Sequence, residues 1–328
     1  MRETSLSWQK ILAQGFTSVS DLLNYLELPV AEGNLLAEKK FPSRIPLGFA
    51  KRMQKGNAQD PLLLQVLALG EELEERDGYG ADPLMESGTT IPAKGLIHKY
   101  YGRVLLTVTG VCAVNCRYCF RRHFPYQSNN PGRSGWKKIA HYIANDASIS
   151  EVIFSGGDPL LASDLVLTEL IRLLDDIPHV HTVRIHTRIP VVFPERVDRG
   201  LVNLLSTTRL KKVIVLHCNH PQELNDEVRQ ACSELQKVGC TLLNQSVLLA
   251  GINDQAIILA ELSQALFACG VLPYYLHLLD KVKGAAHFDM PFVKAQTIYH
   301  QLQTLLPGYL VPRLAQEEPG KLHKTLLF

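Results

Sequence analysis

From about residue 103 onward the chain alternates short apolar runs with longer amphipathic stretches. The runs cover 104–109, 151–154, 181–185, 212–216, 241–243 and 271–276. They are short and rich in Val, Ile and Leu, as buried strands are. Between them lie stretches of helical periodicity, such as 221–238 and 254–268. Six strand–helix units in succession predict parallel strands covered by helices. The expected class is α/β, with the strands curved into a closed or partly closed barrel. Residues 1–95 read instead as short helices. Ser20-Asp-Leu-Leu-Asn-Tyr-Leu-Glu carries apolar residues at helical spacing, and Asp60-Pro61 supplies an N-cap followed by a first-turn proline. The chain therefore divides into an N-terminal helical region (1–95), a barrel (96–310) and a C-terminal tail (311–328).

Polar residues collect just after each apolar run. A cysteine loop follows the first and Ser155-Gly156-Gly157-Asp158 the second. His186 and Arg188 follow the third, His217 and Asn219 the fourth, Asn244 and Gln245 the fifth, and His277 and Asp280 the sixth. In a parallel barrel these strand ends converge on one face, where active sites sit.

The cysteine loop reads Cys112-Ala-Val-Asn-Cys116-Arg-Tyr-Cys119. Three thiolates can ligate three irons of a four-iron, four-sulfur cluster, leaving the fourth iron open to bind and transform a molecule. Zinc is the competing reading, with His123 as a fourth ligand in a small zinc-stabilised binding module. Ser155-Gly-Gly-Asp158 lets backbone approach a ligand closely, with Asp158 placed to accept from a ligand amine or to cap its own turn. Arg121 and Arg122 follow the third cysteine, and a guanidinium there can grip a substrate carboxylate with two parallel hydrogen bonds.

Composition narrows the field. There are 34 basic and 32 acidic residues among 328, a net charge of +2, which leaves no polyanion-binding surface and no polybasic membrane anchor. The N-terminus lacks the apolar core of a signal peptide, and the apolar run 61–70 is too short to span a bilayer. A soluble cytoplasmic protein with no nucleic-acid or membrane partner is expected. In a reducing compartment its cysteines are thiols or metal ligands, and Cys218, Cys232, Cys240 and Cys269, in apolar surroundings, read as core.

The C-x3-C-x-aromatic-C pattern resembles the radical S-adenosylmethionine (SAM) enzymes. Taken together, residues 109–124, 155–160, 184–194, 217–221, 244–254 and 284–288 resemble the lysine 2,3-aminomutase family, in unbroken order from about 95 to 325. The resemblance implies a partial (β/α)6 TIM-like radical SAM barrel with an N-terminal helical extension. It implies an isomerase that uses a 4Fe-4S cluster on Cys112, Cys116 and Cys119, SAM, and pyridoxal 5′-phosphate (PLP). Carried over by position, Lys324 is the PLP lysine. The family's glycine run before it is replaced by Lys321, Leu322 and His323, which leaves Lys321 as a second candidate. Arg121 matches the carboxylate-binding arginine. Asp280 and Glu317 match two aspartates that hold the distal ammonium of lysine, Glu317 with a longer arm. Lys99 and Arg103 fall toward the PLP phosphate. His217 and Gln245 fall at cofactor-facing positions, and Ser155, Gly156, Gly157 and Asp158 where the SAM amine is held. The acidic pair disfavours a glutamate substrate.

The chain ends four residues after Lys324, where stand-alone lysine 2,3-aminomutases continue. The short form resembles the bacterial enzyme that converts (S)-α-lysine to (R)-β-lysine for elongation factor P, with a separate ligase attaching the product. The implied partners are L-lysine, an electron donor and, functionally, that ligase. The alternative within the family is a stand-alone enzyme of lysine metabolism.

Overall fold

The computed structural model describes residues 6–86 and 92–327. Residues 1–5, the start of the N-terminal run read above, lie outside it, as do 87–91 and 328. One sheet carries the architecture. Its strands are β1 (Leu96–Tyr100), β2 (Arg103–Thr109), β3 (Glu151–Gly156), β4 (Thr182–Thr187), β5 (Lys211–His217), β6 (Cys240–Val247), β7 (Leu272–His277), β8 (Arg313–Gln316) and β9 (Thr325–Leu326). They lie in sequence order, with β2 through β8 parallel and antiparallel β1 and β9 at the two edges. Among the described residues no pairing joins β9 to β1, so the barrel is open.

All six expected strands are present. The seventh parallel strand, β8, was not expected, because four residues with two apolar positions make no readable run. The C-terminal tail thus contains the last parallel strand, Arg313–Gln316, and a short antiparallel return, Thr325–Leu326.

Strand alternation sorts the side chains. Leu106, Phe154, Ile185, Ile214 and Leu242 are register partners across β2 to β6 and are all buried. They share one apolar cluster with helix residues Leu167, Leu170, Leu201, Val228 and Leu235, so this row faces the helical layer. Each such side chain contributes roughly 1.5–3 kcal/mol by leaving water. One residue further along, Ser155 and His186 turn to the opposite, inner face, as do His217 and Gln245 three residues beyond Ile214 and Leu242.

The N-terminal helices extend that core rather than forming a second one. Leu22, Leu23, Phe49, Leu62, Leu63 and Val66 belong to the same cluster as the β2–β6 row, so the core does not divide near residue 95. Asp60 caps its helix as expected, accepting from the backbone N–H of Leu62 at 2.8 Å and of Leu63 at 3.0 Å, with Pro61 in the first turn. A buried ion triad ties this region to the cysteine loop. Glu72 takes both Nε and Nη2 of Arg117 (2.7 and 2.6 Å) and Nη2 of Arg122 (2.6 Å).

Candidate active site

The cysteine loop leaves β2 and is clamped from several sides. Cys119 N–H donates to the Cys116 carbonyl at 3.1 Å, and Arg44 donates to the Cys112 carbonyl at 3.2 Å. The glycine pair of β3 packs directly beneath. Gly157 N–H reaches Thr109 O at 2.7 Å and Asp158 N–H reaches Val111 O at 2.8 Å. A Cβ on Gly156, whose φ is +118°, would stand 2.4 Å from Thr109 O, and one on Gly157 would stand 2.5 Å from Val111 O. Both glycines are needed for this backbone-on-backbone contact.

The thiols suit a multi-iron cluster. Burial, with help from neighbouring sulfurs, pushes the Cys112 thiol well above its ordinary pKa and Cys119 up to about 11. Ligation by iron offsets that cost, because the bound sulfur is a thiolate. Among the described residues no three His, Cys, Asp or Glu side chains gather tightly enough to hold one metal ion. His123, the fourth ligand of the zinc reading, lies with Nε2 3.1 Å from Lys283 O instead. A cubane spreads its ligands over separate corners, whereas zinc draws sulfur to about 2.3 Å of one point.

Two expected ligand contacts are taken up internally. Asp158 Oδ1 accepts from Thr187 Oγ1 (2.7 Å) and Leu160 N–H (3.1 Å), and Oδ2 from Arg188 N–H (2.7 Å) and Ile189 N–H (3.2 Å). These four contacts fill its roughly four lone-pair sites and brace the start of the loop after β4, as the turn-capping reading of Asp158 expects. Burial nevertheless raises its pKa to about 6. Arg122 is likewise committed, to Glu72, Arg117 O (2.8 Å) and Gly284 O (2.9 Å), and holds the loop rather than facing a substrate.

Arg121 is placed differently. It is buried, its Nη1 donates to Ser155 Oγ at 2.9 Å, and its guanidinium lies over the Phe120 ring at 4.9 Å. Its Nε and Nη2 donate to the two oxygens of Glu86 at 2.6 and 2.9 Å. From Glu86 a line of alternating charge crosses the site. Lys99 Nζ lies 3.3 Å from Glu86 Oε1 and 3.4 Å from Glu317 Oε1, and Lys324 Nζ lies 2.6 Å from Glu317 Oε2. Burial alone would raise the Glu317 pKa, but Lys324, Lys99 and Tyr100 outweigh it and hold it at about 2. Asp280 lacks such cover. Burial first, and the Glu317 charge second, lift it to about 7. Residues far apart in the chain are thus drawn together, because Asp280 follows the end of β7, Glu317 follows β8 directly, and Lys324 directly precedes β9. Lys321 is exposed, which leaves Lys324 as the inward lysine.

His217 and Gln245 are register partners on β5 and β6. His217 Nε2 is 2.8 Å from the Tyr118 hydroxyl, and burial drives its pKa down to about 3, so it is neutral. Arg103 stands at the far end of β2 from the cysteines, its guanidinium 4.7 Å over the ring of Tyr100, whose hydroxyl bonds to Glu317. Nε2 of the half-buried His186 is itself shielded from solvent and has no protein partner, an unmet polar atom on the inner face that suits a bound group. Arg188 is also buried, with Nη2 on Gln65 Oε1 (2.6 Å) and Glu223 Oε2 (2.8 Å) and Nη1 beside Cys116 Sγ.

Sequence reasoning missed Glu86, Glu72 and Glu223. Glu86 and Glu72 lie outside any long periodic element and Glu223 at the start of one, and for an acidic residue in either place solvent exposure is the default expectation.

The radical SAM superfamily model matches residues 106–261. L-lysine 2,3-aminomutase of Haemophilus influenzae is 48% identical over 323 residues, spanning 98% of this chain and 95% of that protein. The protein of the same name from Escherichia coli is 48% identical over 324 residues, spanning 98% and 94%. That from Clostridium subterminale is 36% identical over 321 residues, spanning 97% and 77%.

Proposed function

Since the chain belongs to the L-lysine 2,3-aminomutase family of radical SAM enzymes, we propose that it converts (S)-α-lysine to (R)-β-lysine and supplies the lysyl group for elongation factor P. When bound, the cluster and SAM supply a 5′-deoxyadenosyl radical, and PLP supplies an electron sink. Cys112, Cys116 and Cys119 hold the cluster, and Lys324 holds PLP. Ser155, Gly156 and Gly157 shape the floor on which SAM rests. Lys99 and, more remotely, Arg103 supply positive charge toward the PLP phosphate, with His217 and Gln245 on the same inner face.

The protein's own work is placement. Arg121 takes the substrate carboxylate, and Asp280 with Glu317 takes the ε-ammonium. Fixing both ends of a flexible amino acid fixes the carbon between them, and a radical made nearby then meets one hydrogen. The buried setting strengthens these charge contacts and keeps water away. Two carboxylates at the distal end repel an acidic side chain, which favours lysine over glutamate. The observation that carries this reading is the charged line that joins Arg121, after β2, to Glu317 and Lys324, after β8, with Asp280 beside Glu317 and Cys119 beside Arg121.

The elongation factor P role rests on the family resemblance of the sequence; the relatives at 48% and at 36% identity bear the same name, L-lysine 2,3-aminomutase. A cytoplasmic setting belongs to the same reading, and among the described residues no helix is long and apolar enough to cross a membrane. Anaerobic incubation with lysine, SAM, PLP and a reductant, followed by chiral chromatography, tests the reaction; unchanged α-lysine refutes it. Adding elongation factor P and its ligase tests the destination. A mass increase of one lysyl group on the factor is expected, and a ligase that refuses the product returns the enzyme to free lysine metabolism.

A further inference from the structure

Glu86 sits at a turn that the fold maintains under strain. Met85 before it has φ +48°, a left-handed conformation that costs a non-glycine residue on the order of 1 kcal/mol. The turn is tied by Glu86 N–H donating to Asp82 Oδ1 at 2.9 Å. It delivers two acceptors inward: the Leu84 carbonyl, 3.2 Å from Lys99 Nζ, and the Glu86 carboxylate. That carboxylate is buried, and it occupies one particular side of Arg121, the fork formed by Nε and Nη2. Ser155 takes one hydrogen of Nη1. A guanidinium has five N–H groups, so one N–H on Nη1 and one on Nη2 remain, both at the far end of the side chain.

We propose that Glu86 is a positioning residue for the isomerisation, filling the side fork of Arg121 so that a substrate carboxylate can bind only across the two terminal nitrogens. The inference rests on the assignment of Arg121 to that carboxylate. Without Glu86 the side fork is the better-matched bidentate site, and a carboxylate seated there shifts the whole amino acid. The β-carbon then leaves the position the radical attacks. Because Glu86 also touches Lys99, it ties the grip on the substrate carboxylate to the lysine expected at the PLP phosphate.

Reconstituted holoenzyme carrying Glu86→Gln, Glu86→Ala or Arg121→Ala is compared with the parent for three quantities: KM for lysine, kcat, and 5′-deoxyadenosine released per β-lysine formed. Positioning predicts that Glu86→Gln raises KM on the order of tenfold, the worth of one charge-assisted hydrogen bond. It also predicts more 5′-deoxyadenosine per product. Formate added to Glu86→Ala is expected to occupy the vacated fork and restore the product ratio. A lower KM in Glu86→Gln with unchanged coupling overturns the proposal, since Glu86 would then merely compete with substrate. A lowered melting temperature with no formate rescue also overturns it, as a purely structural role. Should Arg121→Ala leave the lysine KM unchanged, the Arg121 assignment falls and the brace with it; should Arg121→Ala raise KM while Glu86→Gln stays silent, the brace alone falls.

Discussion

Asp280→Asn is expected to make the lysine-free enzyme more stable while weakening its hold on lysine. The Asp280 carboxyl titrates at about 7, against 3.8 for an ordinary aspartate, because it is buried and faces Glu317 and Glu86, with Lys324 and Lys99 only partly compensating. A carboxyl whose pKa is higher in the folded chain costs stability when it ionises. The cost is absent below the ordinary pKa, grows as pH rises, and is complete above about pH 7. At 1.36 kcal/mol per pH unit it amounts to about 2 kcal/mol at pH 5 and about 4 kcal/mol at pH 8, as upper bounds. Asparagine has the shape of the neutral acid and no such cost. Thermal melts at pH 5, 6, 7 and 8 without lysine therefore show the variant gaining on the parent as pH rises. At roughly 2–4 °C per kcal/mol the gap widens by a few degrees. Added lysine closes it, because an ammonium stabilises only the ionised aspartate. A gap that is constant or shrinks with pH refutes the argument, and so does a variant that lysine stabilises as strongly as the parent.

Three further outcomes are expected. Cys116→Ala loses iron and acid-labile sulfide after anaerobic reconstitution, and retained iron at the parental ratio would exclude Cys116 as a ligand. After borohydride reduction of the PLP-loaded protein, mass spectrometry finds the pyridoxyl group on the peptide containing Lys324, and Lys324→Ala abolishes it; a label on Lys321 would show that the lysine was misassigned. Glu72→Ala leaves Arg117 and Arg122 buried without their shared anion and destabilises the fold by about 3–5 kcal/mol; a melting temperature within a degree of the parent contradicts this.

The strands were legible because β2, β3 and β5 carry continuous apolar runs and β4, β6 and β7 recur between helical stretches at the same spacing, signals that need no tertiary context. The strand β8 was not, since Arg-Leu-Ala-Gln draws its strand character from pairing with β7 rather than from its own composition. The cysteine trio was legible from spacing alone. Arg121, Asp280, Glu317 and Lys324 needed the family resemblance, and the fold brings all four into one charged cluster. Asp158 and Arg122 carry open readings in the sequence, ligand contact or a local role, because a polar residue in a loop does not reveal whether its neighbours will satisfy it. Glu86 was invisible for the same reason: its partner lies 35 residues away in sequence.

The line from Lys324 through Glu317, Lys99 and Glu86 to Arg121 alternates in sign at every step. Removing an interior charge strands a neighbour on each side, and removing an end charge strands one, so the effects of substitutions along it will be strongly epistatic. Adapting this scaffold to a different amino acid therefore demands coordinated pairs of changes, and directed evolution by one-residue steps meets a fitness valley at each of them. Selection for new substrates should advance fastest in libraries that vary neighbouring members of the line together.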